Sequence, residues 1–414
     1  MNKHSVLASL AVFVVLLMPP AVLAATIATA TSHHNHTRSR KVTETASAQK
    51  KMARLKHSSK TVATRNRSAR VATLYTRHHR YYERFSASSF ANDQVEGDIT
   101  AGEDPIVRTA AVEALGDMNG TVVAIDPDNG RILALVNQKM ALSAGGQPCS
   151  TIKVAVALAA LSENVITEYT LVPLGKYYRV DLTSALAHSN NAYFEAVGRK
   201  LGFERVSYYA HQFGLGELAG WQIPGEHLGI FPQEELDARL GGIGRMCSFG
   251  ESISITPLQL GALMAAIANG GTLYYLQHPT TPEEATNFEP KVKRQLDIGP
   301  LIPEISDGMS GAVEYGTARQ LRTSFIEEPI LGKTGTCSKD GTRFGWFASY
   351  ANTQFGRIVT VIFLEGGRPT FGPKAAELAG HMYRNLYDHD FFAVKPYVTP
   401  VRTAGPPAVV VQQQ

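Results

Sequence analysis

The chain has 414 residues, 40 lysines or arginines against 36 aspartates or glutamates, a net charge of +4, and three cysteines. Three cysteines are too few for a disulfide framework, and after the N-terminal region no run is long and apolar enough to span a bilayer. The length would allow two or three domains. The composition instead predicts one folded domain, at residues 96–390, between an N-terminal region and a C-terminal tail.

Residues 1–25 have the pattern of a secretory signal peptide. Lys3 and His4 precede an apolar run from Val6 to Met18, and small residues follow it. An uncleaved N-terminal anchor is the alternative, although two prolines directly after Met18 argue against a complete membrane helix. We therefore expect an exported protein of the periplasm or cell envelope, either free or anchored to the inner membrane by this segment.

Residues 26–95 have the composition of a basic disordered linker. From Arg38 to Arg84 there are fourteen lysines or arginines and only two acids, Glu44 and Glu83. Such a segment buries too little apolar surface to fold by itself. Its charge suits an anionic membrane or wall polymer, and the export signal argues against a nucleic-acid partner. Residues 391–414 predict a flexible C-terminal tail.

The residues between these segments predict an α+β fold. Apolar or alternating runs indicate strands, and helical patterns with N-caps indicate helices. The predicted elements are a hairpin at 121–136, helices at 150–161, 192–201, 257–269 and 375–387, and strands at 331–336, 344–350 and 358–364. Strands on both sides of a helical middle predict a central antiparallel sheet packed by helices, with an all-helical subdomain beside it.

Ser150 and Lys153 form an S-x-x-K motif at the start of a predicted helix. Residues three apart share one face of a helix, so Lys153 can reach the Ser150 hydroxyl. A serine needs such a base to act as a nucleophile, and burial or a nearby cation would lower the lysine pKa into a useful range. The backbone N–H of Ser150 could form half of an oxyanion hole. Taken alone, an exposed helix start with a capping serine also explains the motif.

A second motif, Ser189-Asn190-Asn191, precedes another predicted helix. An N-cap is the simpler explanation of this motif alone, since serine and asparagine are preferred there. Together with Lys153, however, Ser189 could relay a proton to a leaving amine. Asn191 could bind a substrate amide, because its side chain both donates and accepts hydrogen bonds.

A third motif is Lys333-Thr334-Gly335-Thr336, within a predicted strand. Glycine in a strand permits close approach of a ligand backbone, and a strand edge offers main-chain hydrogen bonds to an extended peptide. The lysine charge and the threonine hydroxyls could bind a terminal carboxylate. A hairpin with an exposed lysine is the alternative.

The order of the three motifs is typical of penicillin-binding proteins and class A β-lactamases. From about Asn119 to Tyr387 the chain resembles the transpeptidase domain of penicillin-binding proteins, most like the class B type. The matching segments are the opening hairpin, Ile223-Pro224-Gly225-Glu226, Gly250 to Leu260 (GESISITPLQL), Ala268-Asn269-Gly270-Gly271 and Gly316-Thr317-Ala318.

The resemblance implies a β-lactamase/transpeptidase-like fold with the active site between sheet and helices. It implies Ser150 as acylated nucleophile, Lys153 as general base and Ser189 as proton relay. Oxyanion donors would be the backbone N–H groups of Ser150 and Thr336. The implied substrate-binding residues are Asn191, Lys333, Thr334, Gly335 and Thr336. We expect neither a metal nor an organic cofactor, because protein groups supply nucleophile, base and oxyanion donors.

The implied function is that of a peptidoglycan D,D-transpeptidase, which acts on D-Ala-D-Ala stem peptides and is acylated by penicillin. Expected partners are stem peptides, β-lactam antibiotics and proteins of a cell-wall synthesis complex. A D,D-carboxypeptidase is an alternative, with water as acceptor. A serine β-lactamase is another, for which residues 234–237 weakly resemble the loop of the catalytic glutamate. A non-catalytic β-lactam sensor or cell-wall scaffold is the third.

Three departures from the family pattern accompany the motifs. Only 39 positions separate Ser150 from Ser189, so part of the helical subdomain is shortened. Cys149 stands where glycine or another small residue is expected, and Gly250-Glu251-Ser252 replaces the usual G-Q-G. Because Cys149 and Cys337 each flank a motif, a disulfide between them is a further hypothesis.

Overall fold

The computed structural model describes residues 84–353 and 356–393. Within these residues, helices α1–α11 span Pro105–Leu115, Gln138–Ala141, Ile152–Ser162, Leu182–Ala187, Asn191–Leu201, Phe203–Gln212, Gly242–Phe249, Pro257–Ala268, Pro282–Thr286, Ile302–Glu314 and Gly372–Asp388. Strands β1–β9 span Gly120–Ile125, Ile132–Val136, Val172–Pro173, Arg179–Val180, Thr272–Tyr275, Lys291–Gln295, Ile330–Lys339, Thr342–Asn352 and Arg357–Gly366. The predicted hairpin, late strands and main helices are confirmed, with shifts of a few residues at their ends.

Five strands form a central antiparallel sheet in the order β2-β1-β9-β8-β7. The opening hairpin therefore pairs with the last strand, and Thr121 of β1 lies opposite Phe363 of β9. At the other end of this order, β7 is an edge strand of the sheet. The third motif lies on this edge.

Helices cover both faces of the sheet, as the alternation of its side chains requires. On β1, Val123 and Ile125 belong to one apolar cluster, which also includes residues of α3, α5 and α8. Val122 and Ala124, which point the other way, join α1 and α11 in a second cluster. The sheet with helices on both faces and a helical region at its side confirms the predicted α+β architecture.

Helix α8 shows how local sequence sets the position of one of these helices. Thr256 caps its N-terminus and forms a reciprocal capping box with Gln259, and Pro257 is the first helical residue. These are the signals that favour a helix start. Almost every residue of α8 is buried, because it packs against the sheet on the side that carries α3.

The folded part extends beyond residues 96–390. Ser89, assigned by the sequence to the disordered linker, is buried, and its Oγ accepts a hydrogen bond from the Gly367 N–H at 2.7 Å. Phe392, assigned to the C-terminal tail, is also buried in the second cluster. Residues 84–95 and 391–393 therefore belong to the domain. The predicted signal segment, the rest of the linker and the rest of the tail lie outside the described residues.

Among the described residues, none of the helices has both the length and the apolar character needed to cross a membrane.

Candidate active site

Ser150 lies in a 3₁₀ turn, Cys149–Thr151, that leads directly into α3. The regular helix begins two residues later than the sequence predicted. Cys149 has a φ of 53°, in the left-handed region, which a residue with a side chain rarely adopts. This conformation gives the physical reason for expecting glycine before the nucleophile, and it marks a turn held by its surroundings.

Lys153 is fully buried, and its amine contacts the Ser150 hydroxyl. Its Nζ lies 2.9 Å from Ser150 Oγ, 2.8 Å from the Ser189 carbonyl oxygen and 2.5 Å from Asn191 Oδ1. The last two atoms only accept hydrogen bonds, so Lys153 must donate to both. A neutral amine then has its lone pair available for the Ser150 hydroxyl proton. This arrangement suits a general base.

Burial, and to a smaller extent the charge of nearby Lys333, together lower the pKa of Lys153 to about 6. Burial also lowers the pKa of Lys333 to about 7. Both causes were expected from the sequence for Lys153. Because its pKa lies below neutrality, Lys153 is predominantly uncharged at pH 7 and can accept a proton.

The second motif contributes a hydroxyl between the two lysines. Ser189 Oγ lies 3.1 Å from Lys153 Nζ and 2.9 Å from Lys333 Nζ. Ser189 has a φ of 55°, a second left-handed residue at the site. A hydroxyl that contacts both amines can accept a proton from one side while donating on the other, as a relay requires.

Asn190 and Asn191 are adjacent in the second motif, but their side chains bind different groups. Asn190 caps α5, with its Oδ1 accepting from the Tyr193 N–H at 3.0 Å. Asn191, the first residue of α5, directs its Oδ1 to Lys153 instead. Its Nδ2 group is then the part of the amide that can donate to a substrate carbonyl. The helix-cap explanation therefore holds for Asn190, while Asn191 lies beside Lys153 and does not cap the helix.

The third motif lies on the edge strand β7. Lys333 is fully buried, and its amine donates to Ser189 Oγ and to the Thr334 carbonyl at 3.0 Å. The exposed hairpin lysine is therefore the wrong explanation. Thr334 is nearly buried and donates to Thr317 Oγ1 at 2.7 Å. Thr336 Oγ1 accepts from the Gly372 N–H at 2.8 Å, which leaves its own proton free to donate.

Gly335 allows β7 to approach the turn that carries the nucleophile. A Cβ on Gly335 would lie 2.8 Å from the Pro148 carbonyl oxygen and 3.1 Å from Thr151 Cγ2. Contacts this short do not occur between real side chains and backbone oxygens, so any other residue would separate the two segments. Trp346 on the neighbouring strand β8 also contacts this turn, because its Nε1 donates to the Gln147 carbonyl at 2.9 Å.

Cys149 and Cys337 form a disulfide, with their Cα atoms 5.5 Å apart. This confirms the pairing hypothesis. The third cysteine, Cys247, is free and buried in the helical region, where burial raises the pKa of its thiol to about 12.

The sequence did not assign roles to Gln147, Thr317 or Trp346. Thr317 belongs to a segment that resembled the family, but its contact with Thr334 joins residues 17 positions apart. The bond between Trp346 and Gln147 spans 199 positions. No local spacing predicts such contacts, and only the sheet topology brings these residues to the site.

The loop proposed for a β-lactamase glutamate lies at the wrong end of α7. Glu235 Oε1 accepts from the Ile243 N–H at 2.9 Å, at the start of α7. The turn of the nucleophile contacts the opposite end, where Gln147 Nε2 donates to the Phe249 carbonyl. Eight residues of helix separate the two ends by about 12 Å. The loop thus lacks the position that water activation beside Ser150 would require.

The described residues hold no group of three histidine, cysteine, aspartate or glutamate side chains that could bind a metal ion. The chemistry that these residues can support is nucleophilic attack by Ser150, assisted by Lys153 and Ser189.

A family model for the penicillin binding protein transpeptidase domain matches residues 120–387. The chain is 26% identical over 321 residues to stage V sporulation protein D of Bacillus subtilis, an alignment that covers 64% of this chain and 48% of the relative. It is 24% identical over 388 residues to peptidoglycan D,D-transpeptidase MrdA of Acinetobacter baumannii, with 74% and 56% covered. The chain thus spans about half the length of these curated relatives.

A crystal structure of a peptidoglycan glycosyltransferase from Burkholderia ambifaria has the same fold, with a TM-score of 0.61 at 19% identity. The superposition covers 72% of this chain and 99% of that chain. At this level of identity the comparison supports the fold alone.

Proposed function

Because the chain belongs to the penicillin-binding protein transpeptidase family, we propose that it is a peptidoglycan D,D-transpeptidase acting through an acyl-enzyme on Ser150. The observation that carries this proposal is the buried amine of Lys153, 2.9 Å from Ser150 Oγ, with its pKa lowered to about 6. A serine with a neutral amine at hydrogen-bond distance is an activated nucleophile.

In the proposed acylation step, Ser150 Oγ attacks the carbonyl carbon of the penultimate D-Ala, and its proton passes to Lys153. The oxyanion that forms is stabilised by the backbone N–H groups of Ser150 and Thr336. The C–N bond to the terminal D-Ala then breaks. Ser189, between the two lysines, supplies the proton to this leaving amine and is reprotonated from Lys153.

Substrate binding is assigned to three groups on opposite walls of the site. The Nδ2 group of Asn191 donates to a carbonyl of the stem peptide. The charge of Lys333 attracts the terminal carboxylate, and the free hydroxyl proton of Thr336 donates to it. Thr334, whose proton goes to Thr317, supports this wall through its packing. Gly335 supports this wall indirectly, because it lets β7 lie against the turn that carries Ser150.

An amine of a second stem peptide would then attack the acyl-enzyme and complete the cross-link. The proposed substrates are peptidoglycan stem peptides, with β-lactams as mimics that acylate the same serine. This chemistry requires export, so we propose a location in the cell envelope, with residues 1–25 as signal or anchor. Proteins of cell-wall synthesis are the proposed partners.

The test is intact mass spectrometry of the full chain mixed with benzylpenicillin over minutes to hours. We expect a lasting adduct that maps to Ser150 and is absent from Ser150→Ala. Ser162→Ala, at the other end of α3, is the matched control and should be acylated normally. No adduct on the wild-type chain would overturn the proposal and favour a non-catalytic scaffold.

The fate of the acyl group separates the related activities. With a D-Ala-D-Ala peptide and an added amine acceptor, a transpeptidase forms the amide product, whereas a carboxypeptidase releases only the shortened peptide. A transient penicillin adduct with consumption of the antibiotic would identify a β-lactamase. Either of these outcomes would replace the transpeptidase assignment while retaining Ser150 as nucleophile.

A further inference from the structure

The disulfide joins the two segments that carry the groups proposed for the oxyanion hole. Cys149 directly precedes Ser150, and Cys337 directly follows Thr336. The bridge therefore connects, across 188 positions of sequence, the turn of the nucleophile and the edge strand β7. Its location at the reacting atoms indicates more than general stabilisation of the fold.

Few other contacts fix the distance between these two segments. The sheet holds β7 on one side only, through β8. Toward the turn of Ser150, β7 packs at Gly335 and places Cys337 Sγ 3.9 Å from the Gln147 carbonyl oxygen, while Trp346 on the neighbouring strand β8 donates to the same oxygen. Other hydrogen bonds hold β7 to its neighbours, from Thr334 to Thr317 and from the Gly372 N–H to Thr336, but neither of them reaches the turn of Ser150.

The conformation of Cys149 points to the same role. A residue with a side chain at a φ of 53° is less stable than glycine by about 1–2 kcal/mol. Such a conformation persists only where the surroundings impose it. The Cys149 sulfur is fully buried, 3.3 Å from the Gln147 carbonyl oxygen, and is bonded to β7. The bridge thus holds the strained turn in place.

We propose that the Cys149–Cys337 disulfide is a positioning element for acylation, which keeps the N–H groups of Ser150 and Thr336 at the separation that the oxyanion requires. This inference rests on the proposed function. Oxyanion stabilisation depends on donor distance, and a displacement of about 1 Å can slow a reaction about 100-fold. Neither cysteine touches the substrate, so neither is a catalytic residue.

The role predicts a specific kinetic pattern. Opening the bridge should slow the acylation step with benzylpenicillin about tenfold to 100-fold. Non-covalent binding before acylation should change little, because Asn191 lies on α5 and Lys333, four residues before Cys337 on β7, keeps its own hydrogen bond to Ser189. The pH at which the acylation rate is half-maximal should also stay unchanged, since the bridge does not contact Lys153.

The experiment measures acylation of the full chain before and after reduction by a phosphine. The phosphine takes oxygen from water and becomes its oxide, while the S–S bond becomes two thiols. Thiol counting by alkylation under denaturing conditions verifies each state, and circular dichroism verifies the fold. Reoxidation should restore the original rate, which a loss of fold would not allow. The double variant Cys149→Ala/Cys337→Ala should match the reduced protein.

Cys247→Ala is the matched control, because this free thiol is buried against Gly198 of α5 and is not part of the bridge, so the change should not affect the rate. A folded, reduced protein that acylates at the oxidised rate would overturn the inference. If the double variant does not fold, the reduced wild-type chain decides the question. If the oxidised chain is not acylated at all, the proposed function fails first, and the positioning role fails with it.

Discussion

The coupling between the two lysines can be tested by removing one charge. Both amine nitrogens lie within 3.1 Å of Ser189 Oγ, so they are at most about 6 Å apart. At an effective dielectric constant of about 20, two positive charges at this distance repel by about 3 kcal/mol. This equals about two pKa units. Lys333→Met should therefore raise the pKa of Lys153 from about 6 to about 8.

The assay is the second-order rate constant of acylation by benzylpenicillin as a function of pH, which reports the titration of the free enzyme. In the wild-type chain the rate should rise as Lys153 loses its proton near pH 6. It should fall above about pH 7 as Lys333 becomes neutral and attracts the carboxylate less. In Lys333→Met the rising limb should move up by about two pH units.

Loss of carboxylate binding will lower the overall rate in this variant, so the midpoint of the limb, and not its height, is the informative quantity. Lys339→Met, at the exposed end of the same strand, is the matched control and should leave the midpoint unchanged. An unchanged midpoint in Lys333→Met would refute the reasoning. Burial alone would then account for the lowered pKa of Lys153.

Three further changes test the geometry of the site. Gly335→Ala should slow acylation at least about tenfold by separating β7 from the turn of Ser150. Gly175→Ala should not, because a Cβ there would meet only Tyr178 Cβ at an ordinary contact distance of 3.8 Å. Thr317→Val should lower the free energy of unfolding in urea by about 1–3 kcal/mol, since it leaves the buried Thr334 hydroxyl without its acceptor, and Thr317→Ser should recover most of this loss. The double variant Cys149→Ala/Cys337→Ala should lose about 2–5 kcal/mol in the same urea titration; a smaller loss would contradict a stabilising bridge.

The sequence predicted the parts of the fold that depend on local patterns. The hairpin, the late strands and α8 follow from alternation and capping residues, and the approach of Lys153 to Ser150 follows from helical spacing. The residue pattern also placed Lys333 in a predicted strand, 331–336, and the structure adds that this strand is an edge of the sheet. The contact of Lys333 with Ser189, in the turn between α4 and α5, joins residues 144 positions apart, so no local pattern predicts it.

The features that were not predicted depend on contacts distant in sequence. Residues 84–95 have the polar composition of a linker, yet Ser89 is held by hydrogen bonds to Gly367 and Thr370. Hydrophobic periodicity does not reveal a segment attached through polar groups. The same holds for the hydroxyl pair of Thr334 and Thr317, which depends on how β7 meets the end of α10.

Two buried lysines make the stability of this fold depend on pH in a defined direction. In the folded state the pKa of Lys153 is about 6 and that of Lys333 about 7, below the ordinary value of 10.5. Between these values and 10.5 the unfolded chain binds more protons than the folded chain, so stability contributed by these groups rises with pH.

The comparison that isolates Lys153 is the free energy of unfolding of the wild-type chain minus that of Lys153→Met, measured in urea at pH 6.5 and pH 9. We expect this difference to become more favourable to the wild type at pH 9. In this range Lys153 is neutral in the folded chain but keeps its proton in the unfolded chain, so folding releases a proton and is favoured by a higher pH. Lys339→Met, with an exposed amine, should show no such trend. Equal differences at both pH values would mean that Lys153 keeps an ordinary pKa, and a charged amine beside Ser150 could not serve as the base. The burial that destabilises the fold at low pH is thus the same property that makes the serine a nucleophile.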